Sequence, residues 1–198
     1  MQTLILARHG ESEYSARGLL NGDISVAVGL TEEGEEQARA FGRVLGHTQI
    51  DLCVTTELGR THRTAELALA GRDVPFETWA DLNDPRAGSY EGRHLDDYRG
   101  WAWSAGSAEP TPGGGESRVD IVARYTRAYR ALLERPEATI LAVLHALPIA
   151  YLLAAVDGAA PVARMDRPIE YATAYPVDAE LLRAGLAVLE AWRAAPGW

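Results

Sequence analysis

Two histidines stand directly after apolar segments that have the pattern of buried strands. His9 follows residues 3–7 and Arg8, and His145 follows the apolar run 138–144. A neutral imidazole nitrogen can attack phosphorus and form a covalent intermediate. An adjacent arginine supplies positive charge and paired hydrogen-bond donors for phosphoryl oxygens. The two histidines and Arg8 therefore favour phosphoryl transfer, a reaction that depends mainly on positioning and electrostatic stabilisation.

The elements that must position these residues follow an α/β pattern. Apolar runs predict strands at 3–7, 50–55 and 138–144, with a weaker strand at 74–78. Helical spacing predicts a helix after an N-cap at Thr31, a helix after a Ser117–Asp120 capping box, and helices at 58–70, 94–104, 147–156 and 178–194. Alternation of this kind predicts a mostly parallel sheet, whose sites form outside the carboxyl ends of the strands.

The whole chain limits the classes of function. Its 198 residues predict a single domain over 1–198, with an irregular excursion at about 81–116. The formal net charge of −9 disfavours nucleic acid and anionic membranes as partners, and it requires a local basic cluster for any anionic substrate. Cys53 is interpreted as a core thiol, and no apolar run is long enough to span a bilayer. We expect a cytoplasmic protein.

Leu6-Ala7-Arg8-His9-Gly10-Glu11-Ser12 closely resembles the signature of the histidine phosphatase (phosphoglycerate mutase-like) superfamily. Further blocks resemble the family in the right order over about 6–150: Asn21-Gly22-Asp23, residues 30–34, Thr55 to Arg60 with Thr64-Ala65, Leu82-Asn83-Asp84 with Glu91, Gly115-Glu116-Ser117, and Val143-Leu144-His145. The resemblance implies a three-layer α/β/α sandwich. Because mutases of the family are usually longer, it favours the phosphatase branch.

The resemblance also implies a role for each matching residue. His9 is phosphorylated, while Arg8, Arg60 and His145 clamp the phosphoryl oxygens. Asp84 protonates the leaving group and then activates water. Further phosphate contacts are expected from Ser15, Asn21, Gly22 and Ala146. Neither a metal nor a cofactor is expected, because the cationic side chains do the electrostatic work and no zinc-ligand spacing occurs.

Three positions depart from the family pattern. Ser15 stands where asparagine is common, so we expect a weaker phosphate contact. Asp84 stands where glutamate is common, which leaves Glu91 and Asp81 as alternative acids. Ala146 stands where glycine is usual. Alanine does not tolerate φ > 0, so we expect a differently shaped turn after His145.

These observations predict a phosphoric monoester hydrolase that acts on small phosphorylated substrates through a phosphohistidine. One alternative is a cofactor-dependent phosphoglycerate mutase, and another is a catalytically weak phospho-ligand binding module. Substrate specificity is expected to come from 81–116 and about 157–177. Within the first of these segments, Trp101 and Trp103 are interpreted as packing residues, with an apolar wall for a leaving group as the alternative. The sequence does not identify the phosphomonoester, and it leaves open whether the chain forms a homodimer.

Overall fold

The computed structural model describes residues 1–165 and 167–198. In this part of the chain, five strands form one sheet in the order β3-β2-β4-β1-β5. Four of them run parallel, and β5 runs antiparallel to its neighbour β1. The strands are β1 (Thr3–Arg8), β2 (Leu52–Thr55), β3 (Phe76–Thr78), β4 (Thr139–Leu144) and β5 (Ala174–Asp178). The predicted mostly parallel sheet is thereby confirmed.

Helices cover both faces of the sheet. They are α1 (Glu13–Ala16), α2 (Glu32–Leu45), α3 (Gly59–Ala68), α4 (Leu95–Ala102), α5 (Arg118–Leu133), α6 (Ala146–Val156) and α7 (Ala179–Ala194). Alternate residues of β1 point to opposite faces. Leu4 and Leu6 pack in the core with α5, α6 and α7, whereas Ile5 and Ala7 pack in the core with α2 and α3. The three-layer α/β/α arrangement is confirmed.

Local capping signals in the sequence mark the starts of the major helices. The hydroxyl of Thr31 accepts a hydrogen bond from the amide of Gly34 at 3.0 Å and caps α2. Ser117 and Asp120 form the predicted capping box of α5. Such caps satisfy amides that have no partner within the helix, so the signals report helix starts directly.

The structure adds two elements that the sequence pattern did not predict. The short helix α1 lies within the polar, glycine-bearing segment 11–30, for which no helix is predicted. Strand β5 directly precedes the last helix, in a region for which no strand is predicted. Only Val177 of β5 is buried, and Pro176 occupies an edge position, so the strand lacks an apolar run. Edge strands tolerate proline because their outer amides need no partner in the sheet.

The excursion at 81–116 is ordered around a small aromatic cluster. It contains 3₁₀ turns at Ala80–Leu82 and Gly88–Tyr90 and the helix α4. Trp101 lies at ring-centroid distances of 6.1 Å from Tyr90 and 5.8 Å from Tyr98. This packing fixes α4 against the 3₁₀ turn at Gly88–Tyr90.

The structure tests the interpretation of Cys53 and the absence of a membrane-spanning run. Cys53 is fully buried and free, and burial raises the pKa of its thiol to about 12. This agrees with a core residue. Among the described residues, no helix is long and apolar enough to cross a membrane.

The contact between α2 and α3 can be tested at Gly42. A Cβ there would lie 2.5 Å from the carbonyl oxygen of Ala68, whereas a Cβ at Gly100 in α4 meets no atom within 4 Å. Gly42→Ala should lower the free energy of unfolding by about 1–3 kcal/mol, because the helices must separate. The control Gly100→Ala should raise it by about 0.4–1 kcal/mol. Urea denaturation followed by circular dichroism measures both, and equal stabilisation by the two substitutions would contradict the packing described.

Candidate active site

A cleft of about 360 Å³ opens at the carboxyl ends of β1 and β4. Because these strands are parallel neighbours with Arg8 opposite Leu144, the residues that follow them emerge side by side. The rings of His9 and His145 lie 5.3 Å apart. The cleft brings together eight of the residues predicted from the sequence: Arg8, His9, Ser15, Asn21, Gly22, Arg60, Asp84 and Ala146.

Hydrogen bonding sets the tautomer of His9. Its Nδ1 lies 2.7 Å from the carbonyl oxygen of Gly10, which can only accept, so Nδ1 carries the proton. Nε2 therefore keeps its lone pair and accepts a hydrogen bond from Nε of Arg60 at 3.2 Å. Burial, followed by the charges of Arg60 and Arg8, holds the pKa of His9 well below its usual value. The ring is neutral and presents one free nitrogen, as a nucleophile requires.

His145 lies fully buried behind this nitrogen. Its Nδ1 is 3.3 Å from Nη2 of Arg60 and 3.7 Å from a carboxyl oxygen of Asp84. Its Nε2 is 3.0 Å from the hydroxyl of Thr56. Burial, then the charge of Arg60, lowers the pKa of His145 well below its usual value. A guanidinium can only donate, so Nδ1 accepts and Nε2 carries the proton towards Thr56.

Arg60 connects the members of the site. It is the second residue of α3, and only 4% of it is exposed. Beyond His9, its guanidinium donates to the side-chain and backbone oxygens of Asn21 at 2.7 and 2.9 Å, and to Asp84 at 3.2 Å. These contacts hold the two segments that carry Asn21 and Asp84 close to the imidazole ring of His9.

Arg8 is held by Tyr171 and Ile169, and sequence reasoning missed these contacts. Its guanidinium stacks 3.8 Å from the ring centroid of Tyr171 and donates to the carbonyl oxygen of Ile169 at 2.9 Å. The backbone continues through Ala172 at φ 44°, whose amide donates to the carbonyl oxygen of Arg8. The Nε of Arg8 is buried without a hydrogen-bond partner among the described residues. No sequence motif marks Tyr171, because its contact with Arg8 spans most of the chain.

The three candidate acids occupy different environments. Asp84 lines the cleft beside Arg60, and burial raises the pKa of its carboxyl group although Arg60 and Arg8 oppose this. Asp81 pairs with Arg127 at 2.7 Å on the surface. The carboxylate of Glu91 accepts hydrogen bonds from the amides of Gly22 and Ala87 at 2.8 and 2.7 Å. The geometry favours Asp84 as the acid.

A buried ion pair supports the loop that carries Asp84. Arg124 on α5 donates to the carbonyl oxygens of Asp81, Asn83 and Asp84 at 3.0, 2.6 and 3.2 Å. Glu116 receives two hydrogen bonds from the same guanidinium, at 2.8 and 3.0 Å. Sequence reasoning missed Arg124. The sequence does contain a signal for it, because Arg124 lies at helical spacing from Ile121 and Ala128 on the apolar face of α5.

The structure places the remaining predicted phosphate ligands at the cleft with existing partners. The amide of Gly22 donates to Glu91, and a Cβ at Gly22 would lie 1.9 Å from the carbonyl oxygen of Pro85. The hydroxyl of Ser15 lies 2.8 Å from that of Ser12. Ala146 begins α6 and has no positive φ, so the alanine requires no special turn. Phosphate contacts from these residues stay predictions.

Comparison with known proteins identifies the family. The model of the histidine phosphatase superfamily (branch 1) matches residues 4–186. The chain belongs to the histidine phosphatase superfamily. Among curated members, an adenosylcobalamin/alpha-ribazole phosphatase of Salmonella typhimurium is 38% identical over 57% of this chain and 58% of its own length. The chain therefore spans under two thirds of that relative.

Two further histidine phosphatase superfamily relatives match over longer stretches. A 2,3-bisphosphoglycerate-dependent phosphoglycerate mutase of Brucella ovis is 33% identical over 81% of this chain and 84% of its own length. The crystal structure of the alpha-ribazole phosphatase from Shigella flexneri is 29% identical, with a TM-score of 0.78 over 89% of this chain and 90% of its own. The similarity thus extends to both phosphatases and mutases.

The neutral state of the buried histidines can be tested by NMR. As the pH falls one unit below the usual histidine pKa of about 6.5, the imidazole nitrogens of His9 and His145 should keep the shifts of neutral rings. His9→Asn and His145→Asn variants assign the signals. Below pH 6.5, the two histidines take up protons in the unfolded chain but not in the folded chain. The free energy of unfolding should therefore fall as the pH drops below 6.5. Protonation of either assigned ring near pH 6.5 would contradict the site described.

Proposed function

We propose that this chain is a phosphatase that hydrolyses small phosphomonoesters through a phosphohistidine on His9, without a metal. One observation carries the proposal: a neutral, buried His9 whose free Nε2 faces the guanidinium of Arg60. The proposed unit is a single domain over 1–198, with its variable excursion at about 81–116. A cytoplasmic location stays a prediction from the sequence.

In the first proposed step, the lone pair of His9 Nε2 attacks phosphorus and the bond to the ester oxygen breaks. Asp84 gives its proton to the departing oxygen, which leaves as an alcohol. Arg8, Arg60 and His145 surround the phosphoryl oxygens. The carbonyl oxygen of Gly10 stays bonded to Nδ1–H and stabilises the positive charge that the ring acquires.

In the second step, the carboxylate of Asp84 takes a proton from water, and the water oxygen attacks phosphorus. The phosphorus–nitrogen bond breaks, and inorganic phosphate and neutral His9 are formed. The raised pKa of Asp84 suits this double role, because the carboxyl group must hold a proton in one step and accept one in the next. Arg124 and Glu116 support the loop in both steps.

The names of two relatives support hydrolysis. Both the Salmonella typhimurium relative and the Shigella flexneri structure are phosphatases acting on alpha-ribazole compounds by name. The Brucella ovis relative favours the mutase as a second candidate. Both activities transfer the phosphoryl group to His9 first. In the phosphatase water then accepts the phosphoryl group, whereas in the mutase a second substrate accepts it.

Product analysis separates the two candidates. The protein is incubated with 3-phosphoglycerate and a bisphosphoglycerate primer, and phosphate and 2-phosphoglycerate are both measured. A phosphatase releases phosphate faster than it forms 2-phosphoglycerate. The opposite order would establish the mutase.

The covalent intermediate gives the main test of the proposal. Rapid acid-free denaturation during turnover of a radiolabelled aryl phosphate should trap label that is stable in base and lost in acid, as expected of a phosphohistidine. His9→Ala should lose the label and the turnover, whereas the control His62→Ala, on the exposed face of α3, should keep both. Full labelling of His9→Ala would refute the nucleophile. Wild type as inactive as His9→Ala over a broad panel would favour the binding module instead.

The assignment of the acid predicts a dependence on the leaving group. Asp84→Asn should lower kcat/KM for alkyl phosphates by roughly 10²–10⁴-fold, because their oxygens need a proton to depart. The loss should be much smaller for 4-nitrophenyl phosphate, whose leaving group departs unprotonated. Asp81→Asn serves as the matched control and should change neither substrate, since Asp81 pairs with Arg127 outside the cleft. Equal losses on both substrates in Asp84→Asn would point to a different acid.

A further inference from the structure

The cleft has room for more than the phosphoryl group. Its volume of about 360 Å³ lies in the range of about 300–1,000 Å³ that is typical of sites for whole small molecules. Beyond the clamp, its walls include Leu95, Trp103, Leu147 and Met165. The leaving group of the substrate must occupy this outer part.

The charge of the cleft is opposite to that of the protein. The chain has a formal net charge of −9, yet among the described residues the cleft is lined by five arginines and a single carboxylate, Asp84. Three of the arginines form ion pairs: Arg60 with Asp84, Arg99 with Asp96, and Arg167 with Asp157. Within the described chain, the other two, Arg8 and Arg118, have no carboxylate partner. Arg8 belongs to the phosphoryl clamp, so Arg118 is the cation without an assigned anion.

The neighbours of the Arg118 guanidinium are the ring of Tyr98 and the hydroxyl group of Tyr151, and among the described residues no carboxylate pairs with it. Arg118 is the first residue of α5, where the helix dipole disfavours a cation. The nearby carboxylate of Asp120 is bonded to the amide and hydroxyl of Ser117 in the capping box. The guanidinium lies 5.7 Å from the ring centroid of Tyr98, near the outer limit of about 6 Å for a cation–π contact. A positive side chain placed at a positive helix end favours binding of an external anion.

We propose that Arg118 forms a second anion subsite in the cleft, and that the substrates are phosphomonoesters whose leaving group carries a further anionic group, a carboxylate or a phosphate. This inference rests on the proposed phosphatase function. Half-buried on the wall that it shares with Tyr98, Arg118 can donate two parallel hydrogen bonds to either group. Arg99 and Arg167 contribute less, because each is exposed and already paired.

The test compares substrates that differ only in the second charge. 3-(Phosphonooxy)propanoate is paired with its neutral carboxamide, and 1,3-propanediol bisphosphate is paired with 3-hydroxypropyl phosphate. Wild type should prefer each anionic member by roughly tenfold or more in kcat/KM, as expected for a charge-assisted hydrogen bond. The pair with the larger preference identifies which anion the subsite takes.

Substitutions at Arg118 assign the preference to that residue. Arg118→Gln should lower kcat/KM for each anionic member towards that of its neutral partner, so that the preference within each pair is lost. Arg118→Lys should retain part of the preference. Arg130→Gln serves as the matched control, because Arg130 lies on the exposed face of the same helix and pairs with Glu190.

Three results would overturn the subsite. The first is equal hydrolysis of the charged and neutral members by wild type, a result that needs no variant to fold. Arg118→Gln could slow all four substrates equally, which would indicate a general structural role. Unchanged selectivity in Arg118→Gln would place the preference elsewhere in the cleft. By contrast, absence of turnover of all four substrates and of 4-nitrophenyl phosphate by wild type would overturn the proposed function itself, and the subsite with it.

Discussion

The buried guanidinium of Arg60 is the interaction on which the site depends. A cation taken out of water loses much of its hydration, so its polar hydrogens need partners within the protein. Here the partners are the free nitrogen of His9, both oxygens of Asn21 and the carboxylate of Asp84. Each partner belongs to a different segment of the chain. One side chain therefore aligns the segments, and its charge adds to the effect of burial in lowering the pKa of both histidines.

The loop around Asp84 has a second, independent support. Arg124 and Glu116 form a nearly buried ion pair that also binds the loop through its carbonyl oxygens. Truncation of one partner of such a pair leaves the other charge buried and unpaired, which is strongly destabilising. The acid-bearing loop is thereby tied to the first turns of α5, and the same helix carries Arg118 into the cleft. The proposed acid and the proposed anion subsite are thus linked through one helix.

Sequence patterns predicted the parts of the fold whose signals are local. Strands β1 and β4 are apolar runs, and Thr31 and Ser117 cap helices through neighbouring residues. Strand β5 was missed because an edge strand with a proline lacks such a run. In the site, the family motifs mark the residues that the structure brings together around His9. Tyr171 and Arg124 act through contacts between distant segments, which no spacing in the chain encodes.

The hydrogen bond between His9 Nδ1 and the carbonyl oxygen of Gly10 has a kinetic consequence. A neutral imidazole in water exchanges between two tautomers, and only one of them leaves the attacking nitrogen bare. Here the carbonyl oxygen of Gly10 accepts a hydrogen bond from Nδ1 and so favours the tautomer with the proton on Nδ1. In the proposed reaction, every molecule therefore begins the cycle with the same nitrogen unprotonated and able to attack phosphorus.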